Sequence, residues 1–180
     1  MIKDQKLDYS VLGNLNCAQV CLVFIHGWGG NKESFKRVAK SFNIKKSVWF
    51  LPQGPYLLDK KNSYSWTHEI SPGKYEREEP VGMLLDFFDH QIFSKFDSRD
   101  VYVFGFSQGG LVCYEMVRVL NKTLGGVFPI GGFMSGTKKN IKRISPHQKK
   151  TSIIIGHGNS DEVISVDESR LAYKLLSKES

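Results

Sequence analysis

The sequence predicts an α/β fold with a mainly parallel sheet and helices on both of its faces. Short apolar runs typical of buried strands alternate with stretches in which apolar residues recur at helical spacing. The first run, Val20–Ile25, is continuously apolar and bounded by polar residues, as expected of a strand buried on both faces. Because strands that alternate with helices form parallel sheets, this pattern indicates the fold class.

The other elements follow in the same alternation. Pro52 and Gly54 end the second strand, and a polar, aromatic-containing loop runs from there to about residue 80. The predicted elements after the first strand are a helix over 31–42, a strand over 47–51, a helix over 81–96, a strand, turn and helix over 101–120, strands over 125–134 and 151–155, and a helix over 167–178.

Length and composition indicate one globular domain over residues 1–180. No apolar run is long enough to span a membrane, and the N-terminus lacks the apolar core of a signal peptide, so we expect a cytoplasmic protein. Cys17, Cys21 and Cys113 lie in or beside apolar stretches, which predicts buried, reduced thiols. No cysteine pair has metal-ligand spacing with histidines, so we expect no metal.

The formal net charge is +7, and many of the lysines lie in loop-like stretches. A basic surface attracts anionic lipid headgroups or nucleic acid. The basic residues show neither aromatic interleaving nor a nucleic-acid-binding motif. A solvated basic face is therefore the preferred interpretation, and we expect no nucleic-acid partner.

Chemistry is indicated most clearly by the segment Gly105–Gly109, which fits the pattern G-x-S-x-G between a predicted strand and a predicted helix. In this pattern a serine on a strained bend exposes its Oγ above the sheet. Small residues two positions before and after the serine avoid collisions there. The segment predicts Ser107 as a nucleophile; the alternative is a structural Gly-Ser turn.

A glycine-rich turn, His26–Gly30, directly follows the first strand. It leaves backbone N–H groups at the sheet edge where Ser107 is expected. The N–H groups of Trp28 and Gln108 are candidates for binding the oxyanion of a tetrahedral intermediate. The alternative is a turn that needs glycine for geometry alone. His26 itself is expected to orient the loop.

Asp161 lies in the loop after the strand predicted over 151–155. An acidic residue at this place matches the chain order Ser…Asp…His of one class of serine enzymes. Its carboxylate would orient an imidazole and stabilise the imidazolium. A helix N-cap or a solvated loop aspartate is the alternative.

The general base is missing from this order. A histidine should follow Asp161 after a helix, a strand and a loop, on the order of 20 to 35 residues later. Only 19 residues follow, and none is histidine. We therefore expect that the chain ends before its histidine and that the last strand is missing. Of the histidines present, His68 and His147 are weak candidates for the base. The other three are not expected to act as the base: His26, His90 and His157.

Taken together, these stretches resemble the phospholipase/carboxylesterase family of α/β-hydrolases, which includes the acyl-protein thioesterases. The resemblance rests on residues 24–30, 51–55, 65–66, 105–110, 134–136 and 156–163. It implies the α/β-hydrolase fold, Ser107 as nucleophile, Asp161 as triad acid, the Trp28 and Gln108 amides as oxyanion hole, and cofactor-free hydrolysis of carboxylic esters or thioesters.

The sequence departs from the family pattern in two places. The tryptophan loop of the family commonly continues to an aspartate, whereas here Trp66 is followed by Thr67 and His68. We expect Trp66 and His68 to border the substrate pocket. The family's C-terminal histidine has no counterpart. A non-catalytic descendant that binds ligands with the same fold is therefore the second hypothesis, and a homodimer that covers the open sheet edge is expected.

Overall fold

The structure is a computed structural model that describes residues 6–72, 74–134 and 143–178. Its strands are β1 (Tyr9–Gly13), β2 (Val20–Ile25), β3 (Ser47–Pro52), β4 (Tyr56–Leu57), β5 (Tyr64–Ser65), β6 (His68–Ser71), β7 (Lys74–Glu76), β8 (Val101–Phe106), β9 (Gly126–Ile130) and β10 (Ser152–Ile153). Its helices are α1 (Lys36–Ser41), α2 (Glu78–Phe87), α3 (Gln108–Val119) and α4 (Val166–Leu176).

Six of these strands form the central sheet, in the order β1-β3-β2-β8-β9-β10. β1 runs antiparallel to β3, and every other neighbouring pair is parallel. In β2 and β8, Ile25 is paired with Gly105, so the carboxyl ends of these two central strands lie side by side. The described residues place no strand beyond β10, which pairs with β9 through two residues. The predicted homodimer over this edge stays a prediction.

The sheet is buried on both faces, as the continuous apolar runs predict. Cys21, Val23 and Ile25 of β2 belong to one apolar cluster, whereas the alternate residues Leu22 and Phe24 belong to a second cluster. Helices α2, α3 and α4 contribute residues to the first cluster, and α1 contributes Ala39 to the second. The α/β-hydrolase architecture predicted from the sequence is therefore confirmed.

Local sequence explains where the last helix starts. The Ser165 side chain accepts a hydrogen bond from the backbone N–H of Asp167, which satisfies one unpaired donor of the first turn. Asp167 and Glu168 place negative charge at the positive end of the helix dipole. Ala172 and Leu176 are buried on the face of this helix that packs against the core.

Several elements differ from the sequence-based expectations. The helix predicted over 31–42 is shorter, because its first residues form turns before Lys36. The helix predicted over 81–96 starts earlier, at Glu78, and ends in a π turn over Phe88–Ile92. The predicted loop up to residue 80 contains two antiparallel hairpins, β4–β5 and β6–β7.

The cysteine prediction is correct at two of three positions. Cys21 and Cys113 are buried, whereas Cys17 is exposed as the last residue of a 3-10 turn. Burial raises the pKa of Cys21 to about 12 and also raises the pKa of Cys113.

None of the helices in the described ranges combines the length and apolarity that crossing a membrane requires.

The inner face of α2 gives a test of the core. Leu84 is fully buried, so Leu84→Ala is expected to lower the free energy of unfolding by about 2–5 kcal/mol through lost apolar contact and a cavity. Leu57→Ala is the matched control, since Leu57 is 67% exposed and the expected change is within about 0.5 kcal/mol. Urea unfolding followed by circular dichroism measures both. Equal losses for the two variants would contradict this packing.

Candidate active site

Ser107 lies on a sharp bend between β8 and α3. Its backbone angles are φ 53° and ψ −115°, a region that non-glycine residues rarely adopt. The bend is held from both sides, since the Ser107 N–H donates to the carbonyl of Ile130 in β9 at 2.8 Å. The Ser107 carbonyl in turn accepts from the N–H of Gly110, also at 2.8 Å. The surrounding hydrogen bonds therefore maintain the strained conformation.

The glycines around Ser107 are required by close backbone contacts. A Cβ on Gly105 would lie 2.2 Å from the carbonyl oxygen of Gly109, and a Cβ on Gly109 would lie 2.1 Å from that of Ile25. Both distances are far below van der Waals contact, and the opposing atoms belong to the backbone. The steric argument for small residues two positions before and after the serine is thus supported by the geometry.

The glycine-rich turn after β2 touches the Ser107 bend directly. A Cβ on Gly27 would lie 3.3 Å from the Ser107 Cβ and 3.2 Å from the carbonyl oxygen of Phe106. Gly29 and Gly30 donate their N–H groups to Tyr64 and Gly27, whereas the Trp28 N–H makes no hydrogen bond within the described ranges. The turn therefore leaves the Trp28 N–H unused beside Ser107.

The second candidate oxyanion donor is the N–H of Gln108. Gln108 is the first residue of α3, so its N–H has no acceptor within the helix and lies at the positive end of the helix dipole. Its buried side chain holds the neighbouring loop: Oε1 accepts from the Trp66 N–H at 2.9 Å, and Nε2 donates to Thr67 Oγ1 at 2.9 Å. Sequence patterns give no signal for these contacts, which link residues more than 40 positions apart.

His26 orients the turn, as expected from the sequence. Its Nε2 accepts from the Gly54 N–H at 2.9 Å, so its Nδ1 carries the proton and donates to the Gly27 carbonyl at 2.7 Å. Burial lowers the pKa of His26 to about 4, against a smaller opposing effect of the hydrogen bond to Gly27. His26 is therefore neutral near pH 7, with both ring nitrogens occupied.

Asp161 lies in a loop that is tied to the same sheet edge. Its Oδ1 accepts hydrogen bonds from the backbone N–H groups of Val163 and Ile164, at 2.9 and 3.0 Å. The Ile164 N–H, followed by that of Val163, holds the pKa of Asp161 below its ordinary value. The carboxylate is thus ionised at neutral pH, and Oδ2 does not take part in these two bonds.

β9 connects the Asp161 loop to the Ser107 bend. Ile130 accepts from the Ser107 N–H, and the next residue, Gly131, donates its N–H to Gly156 at 2.8 Å. A Cβ on Gly131 would lie 3.6 Å from Asp161 Oδ2 and 3.9 Å from the Phe106 ring. The structure therefore brings Asp161 Oδ2 to the strand ends that carry Ser107.

His157 supports the Asp161 loop from behind. Its Nε2 lies 2.8 Å from the carbonyl of Ile164, which can only accept, so Nε2 carries the proton. Nδ1 then accepts from the hydroxyl of Ser169 in α4 at 2.6 Å. The same Nε2 lies 3.5 Å from Asp161 Oδ2, and the His157 side chain is only 3% exposed. Sequence spacing gave no signal for this role.

A cleft of about 610 Å³ opens in front of Ser107. His68 lines it together with Ser107 and Gln108, and its Nδ1 is buried without a hydrogen-bond partner in the described ranges. The apolar part of the lining consists of Trp28, Leu57, Leu58, Leu111, Phe133, Val163 and Ile164. The cleft thus joins the bend, the glycine-rich turn and the Asp161 loop.

The expectation that Trp66 borders the pocket is corrected. Trp66 is fully buried and is absent from the described residues that line the cleft. Its indole N–H donates to the carbonyl of His26 at 3.0 Å, because a buried indole needs an acceptor. Trp66 therefore supports the glycine-rich turn from below, and His68 lines the cleft.

The remaining histidines lie elsewhere. His90 is exposed, and its Nδ1 donates to the Asp86 carbonyl one helical turn before it; His147 is exposed in a 3-10 turn. Of the stretches that carried the family resemblance, the segment over 134–136 lies mostly outside the described residues. Within the described ranges, no three His, Cys, Asp or Glu side chains are grouped as metal ligands.

Comparisons with known proteins identify the family of this chain. The model of the phospholipase/carboxylesterase family matches residues 10–180. The chain belongs to the phospholipase/carboxylesterase family. The family resemblance predicted from the sequence is therefore confirmed, and it indicates carboxylesterase or thioesterase chemistry for this fold.

Three curated relatives illustrate the range of the family. A protein of Oryza sativa subsp. japonica named a probable inactive carboxylesterase is 34% identical over 171 residues, covering 86% of this chain and 70% of the relative. Acyl-protein thioesterase 1 of Cryptococcus neoformans is 29% identical over 184 residues, covering 87% and 76%. The match spans only 59% of the length of another rice relative, a probable carboxylesterase.

Solved structures show the same fold. The carboxylesterase of Bacillus cereus superposes with a TM-score of 0.80 at 17% identity, covering 98% of this chain and 82% of that chain. SOBER1 of Arabidopsis thaliana superposes with a TM-score of 0.75 at 23% identity, covering 90% and 84%.

The contact between α3 and the sheet predicts a strong effect of Gly109→Ala. The new methyl group would meet the Ile25 carbonyl, so we expect a loss of at least about 2 kcal/mol in the free energy of unfolding. Gly82→Ala in α2 is the control: nothing lies within 4 Å of its Cβ position, and a gain of about 0.5–1 kcal/mol is expected. Thermal and urea unfolding measure both. A neutral Gly109→Ala would contradict the close approach.

The lowered pKa of His26 predicts a pH dependence of stability. The unfolded chain takes up this proton near pH 6.5, whereas the folded chain does so near pH 4. Between these values the unfolded state binds more protons, so acidification lowers the free energy of unfolding, by about 3 kcal/mol in total. Above pH 6.5 His26 contributes no slope.

His26→Gln removes this titration while keeping a donor and an acceptor. Urea unfolding at several pH values is expected to show a constant difference between the two proteins above pH 6.5. Below it, the wild type should lose stability faster than the variant. Parallel curves down to pH 4 would show that His26 is not buried as the structure places it.

Proposed function

We propose that this chain is a serine hydrolase scaffold for carboxylic esters or thioesters, with Ser107 as the nucleophile. The observation that carries the proposal is the strained bend at Ser107, held by β9 and α3 and facing a cleft. Backbone strain of about 1–3 kcal/mol persists only where the surrounding structure enforces it, and it concentrates at functional sites.

Two backbone donors support an oxyanion hole. The Trp28 and Gln108 N–H groups belong to the two segments that meet at Gly27 and Ser107. A carbonyl attacked by Ser107 Oγ would become a tetrahedral oxyanion beside these donors. Since they are fixed by the backbone, they would stabilise developing charge without reorganisation.

Asp161 is proposed as the acidic member of the triad. Its Oδ1 is occupied by two backbone donors, which leaves Oδ2 to accept from an imidazole. His157 already uses both ring nitrogens, for Ile164 and Ser169, so it is proposed to position the loop and not to transfer protons.

The positions of the nucleophile, the two backbone donors and the acid define the proposed reaction. Ser107 Oγ attacks the acyl carbonyl while a base takes its proton, and the oxyanion collapses with release of the protonated alcohol or thiol. Water then attacks the acyl-serine ester, which releases the carboxylic acid and restores Ser107. The apolar lining of the cleft, including Leu111 and Phe133, fits the hydrocarbon part of an acyl group.

The base determines how fast this chain reacts. No histidine follows Asp161 in these 180 residues, and His68 is the histidine that lines the Ser107 cleft within the described ranges. Loss of a triad member costs several orders of magnitude in turnover. We therefore propose slow turnover for this chain. A non-catalytic binding role is the second candidate, favoured by the similarity to the Oryza sativa protein named a probable inactive carboxylesterase.

A fluorophosphonate probe tests the proposal, with the adduct located by peptide mass spectrometry. We expect slow labelling at Ser107, faster labelling when imidazole is added as an external base, and none in Ser107→Ala. Ser94→Ala is the control, since Ser94 lies in an exposed helical turn and should leave labelling unchanged. His68→Gln then tests the internal base: a drop in labelling without imidazole would assign that role to His68.

Three outcomes of the labelling experiment would contradict the proposal. Labelling only at residues other than Ser107 would show that the nucleophile is misplaced. Absence of labelling even with imidazole, in a protein that unfolds cooperatively, would favour the binding role. Rapid labelling that neither imidazole nor His68→Gln changes would require a base outside this scheme.

A further inference from the structure

A second cleft, of about 720 Å³, adjoins the Ser107 cleft. The two clefts share Tyr75 and Arg77 in their walls, so these two residues lie where the clefts adjoin. Arg118 of α3 also lines the second cleft. We call this second cleft, with Arg77 and Arg118 in its wall, the arginine pocket.

The Arg118 side chain is buried but only half paired. It is 4% exposed, and its Nη1 donates to both carboxylate oxygens of Glu115 at 3.3 Å. Its Nε and Nη2 are buried and have no acceptor in the described part of the chain. Buried donors of a charged group without partners are costly, and native proteins rarely leave them so.

The two unpaired nitrogens define the chemistry that would satisfy them. Nε and Nη2 lie on one edge of the planar guanidinium and direct parallel N–H groups, a spacing that matches the two oxygens of a carboxylate or phosphate. Such bidentate, charge-assisted pairs are among the strongest hydrogen bonds in proteins. The ligand that fits this edge is therefore an oxyanion.

Arg77 adds a second cation between the two clefts. Its Nε is also buried and lacks an acceptor in the described ranges. Three acids line the same wall: Glu115 pairs with Arg118, Glu76 Oε1 accepts from the N–H groups of Glu78 and Glu79, and Glu78 lies in the first turn of α2. Lys74 also lines this wall, so positive groups are available along its length.

We propose that the arginine pocket binds an oxyanion, a carboxylate or a phosphate, carried by the ester or thioester whose carbonyl is presented to Ser107. This inference rests on the proposed function, because it uses Ser107 as the place of the acyl carbonyl. It names the substrate class: acyl compounds with a second, anionic group, such as monoesters of dicarboxylic acids. A purely hydrocarbon acyl ester would leave the arginine edge unpaired.

Binding is tested first with small anions, by following the Nε–H signals of the arginines in ¹⁵N NMR spectra. Succinate and inorganic phosphate are titrated against chloride at equal ionic strength. We expect a saturable shift of the Arg118 signal with at least one of the two anions and none with chloride. The ratio of the two affinities then distinguishes a carboxylate site from a phosphate site.

Substitutions of single arginines test which side chain binds the anion. Arg118→Met is expected to weaken binding about tenfold or more, since it removes both N–H groups of the edge. Arg77→Gln is the second variant, with a smaller loss expected, in case Arg118→Met fails to fold. Arg170→Met is the control: Arg170 pairs with Asp167 at the same i,i+3 spacing but is 69% exposed, so affinity should not change.

The link to Ser107 is tested in the Ser107→Ala protein with monomethyl esters of dicarboxylic acids of increasing length. One length is expected to shift both the Arg118 Nε–H and the Gln108 backbone amide, whereas neutral methyl esters shift only Gln108. Failure of both anions to give a saturable shift overturns the oxyanion site. Anion binding without any monoester that reaches both signals overturns the substrate assignment. Neither result depends on Ser107 labelling, so the two proposals fail separately.

Discussion

The close approach of α3 to the ends of β2 and β8 is the constraint on which the site depends. Gly105 and Gly109 allow backbone to meet backbone where any side chain would collide with a carbonyl. Ser107 has a positive φ at this approach, and the first N–H of α3, which has no acceptor within the helix, belongs to Gln108 in the wall of the cleft. The glycine-rich turn can then touch the bend at Gly27 and place its own free N–H beside it.

The surrounding shell keeps these groups in place through polar contacts between distant parts of the chain. His26 holds the glycine-rich turn to the Gly54 loop, and the side chain of Gln108 holds the segment around Trp66. His157 and Ser169 fix the Asp161 loop to α4. Because each of these groups is buried, its hydrogen bonds must be made within the protein, which makes the arrangement rigid.

Sequence patterns were sufficient for the fold class and for the segments that carry chemistry. The apolar run of β2 and the G-x-S-x-G bend are local signals, since they follow from burial and from steric limits within five or six residues. Weaker signals failed where tertiary pairing decides the structure. β1 and the hairpins between β3 and α2 are short, and their backbone hydrogen bonds join segments without a distinctive periodicity.

The sequence by itself determined the alternation of strands and helices, the family, and Ser107 at a strand-to-helix bend, because each depends on neighbours along the chain. Only the tertiary structure decided that Trp66 is a buried support while His68 lines the cleft, and that Asp161 Oδ2 reaches the strand ends. It alone placed the half-paired Arg118 in the same cleft wall as Arg77. These outcomes depend on which distant surfaces meet, and burial and hydrogen-bond satisfaction between them leave no local pattern in the sequence.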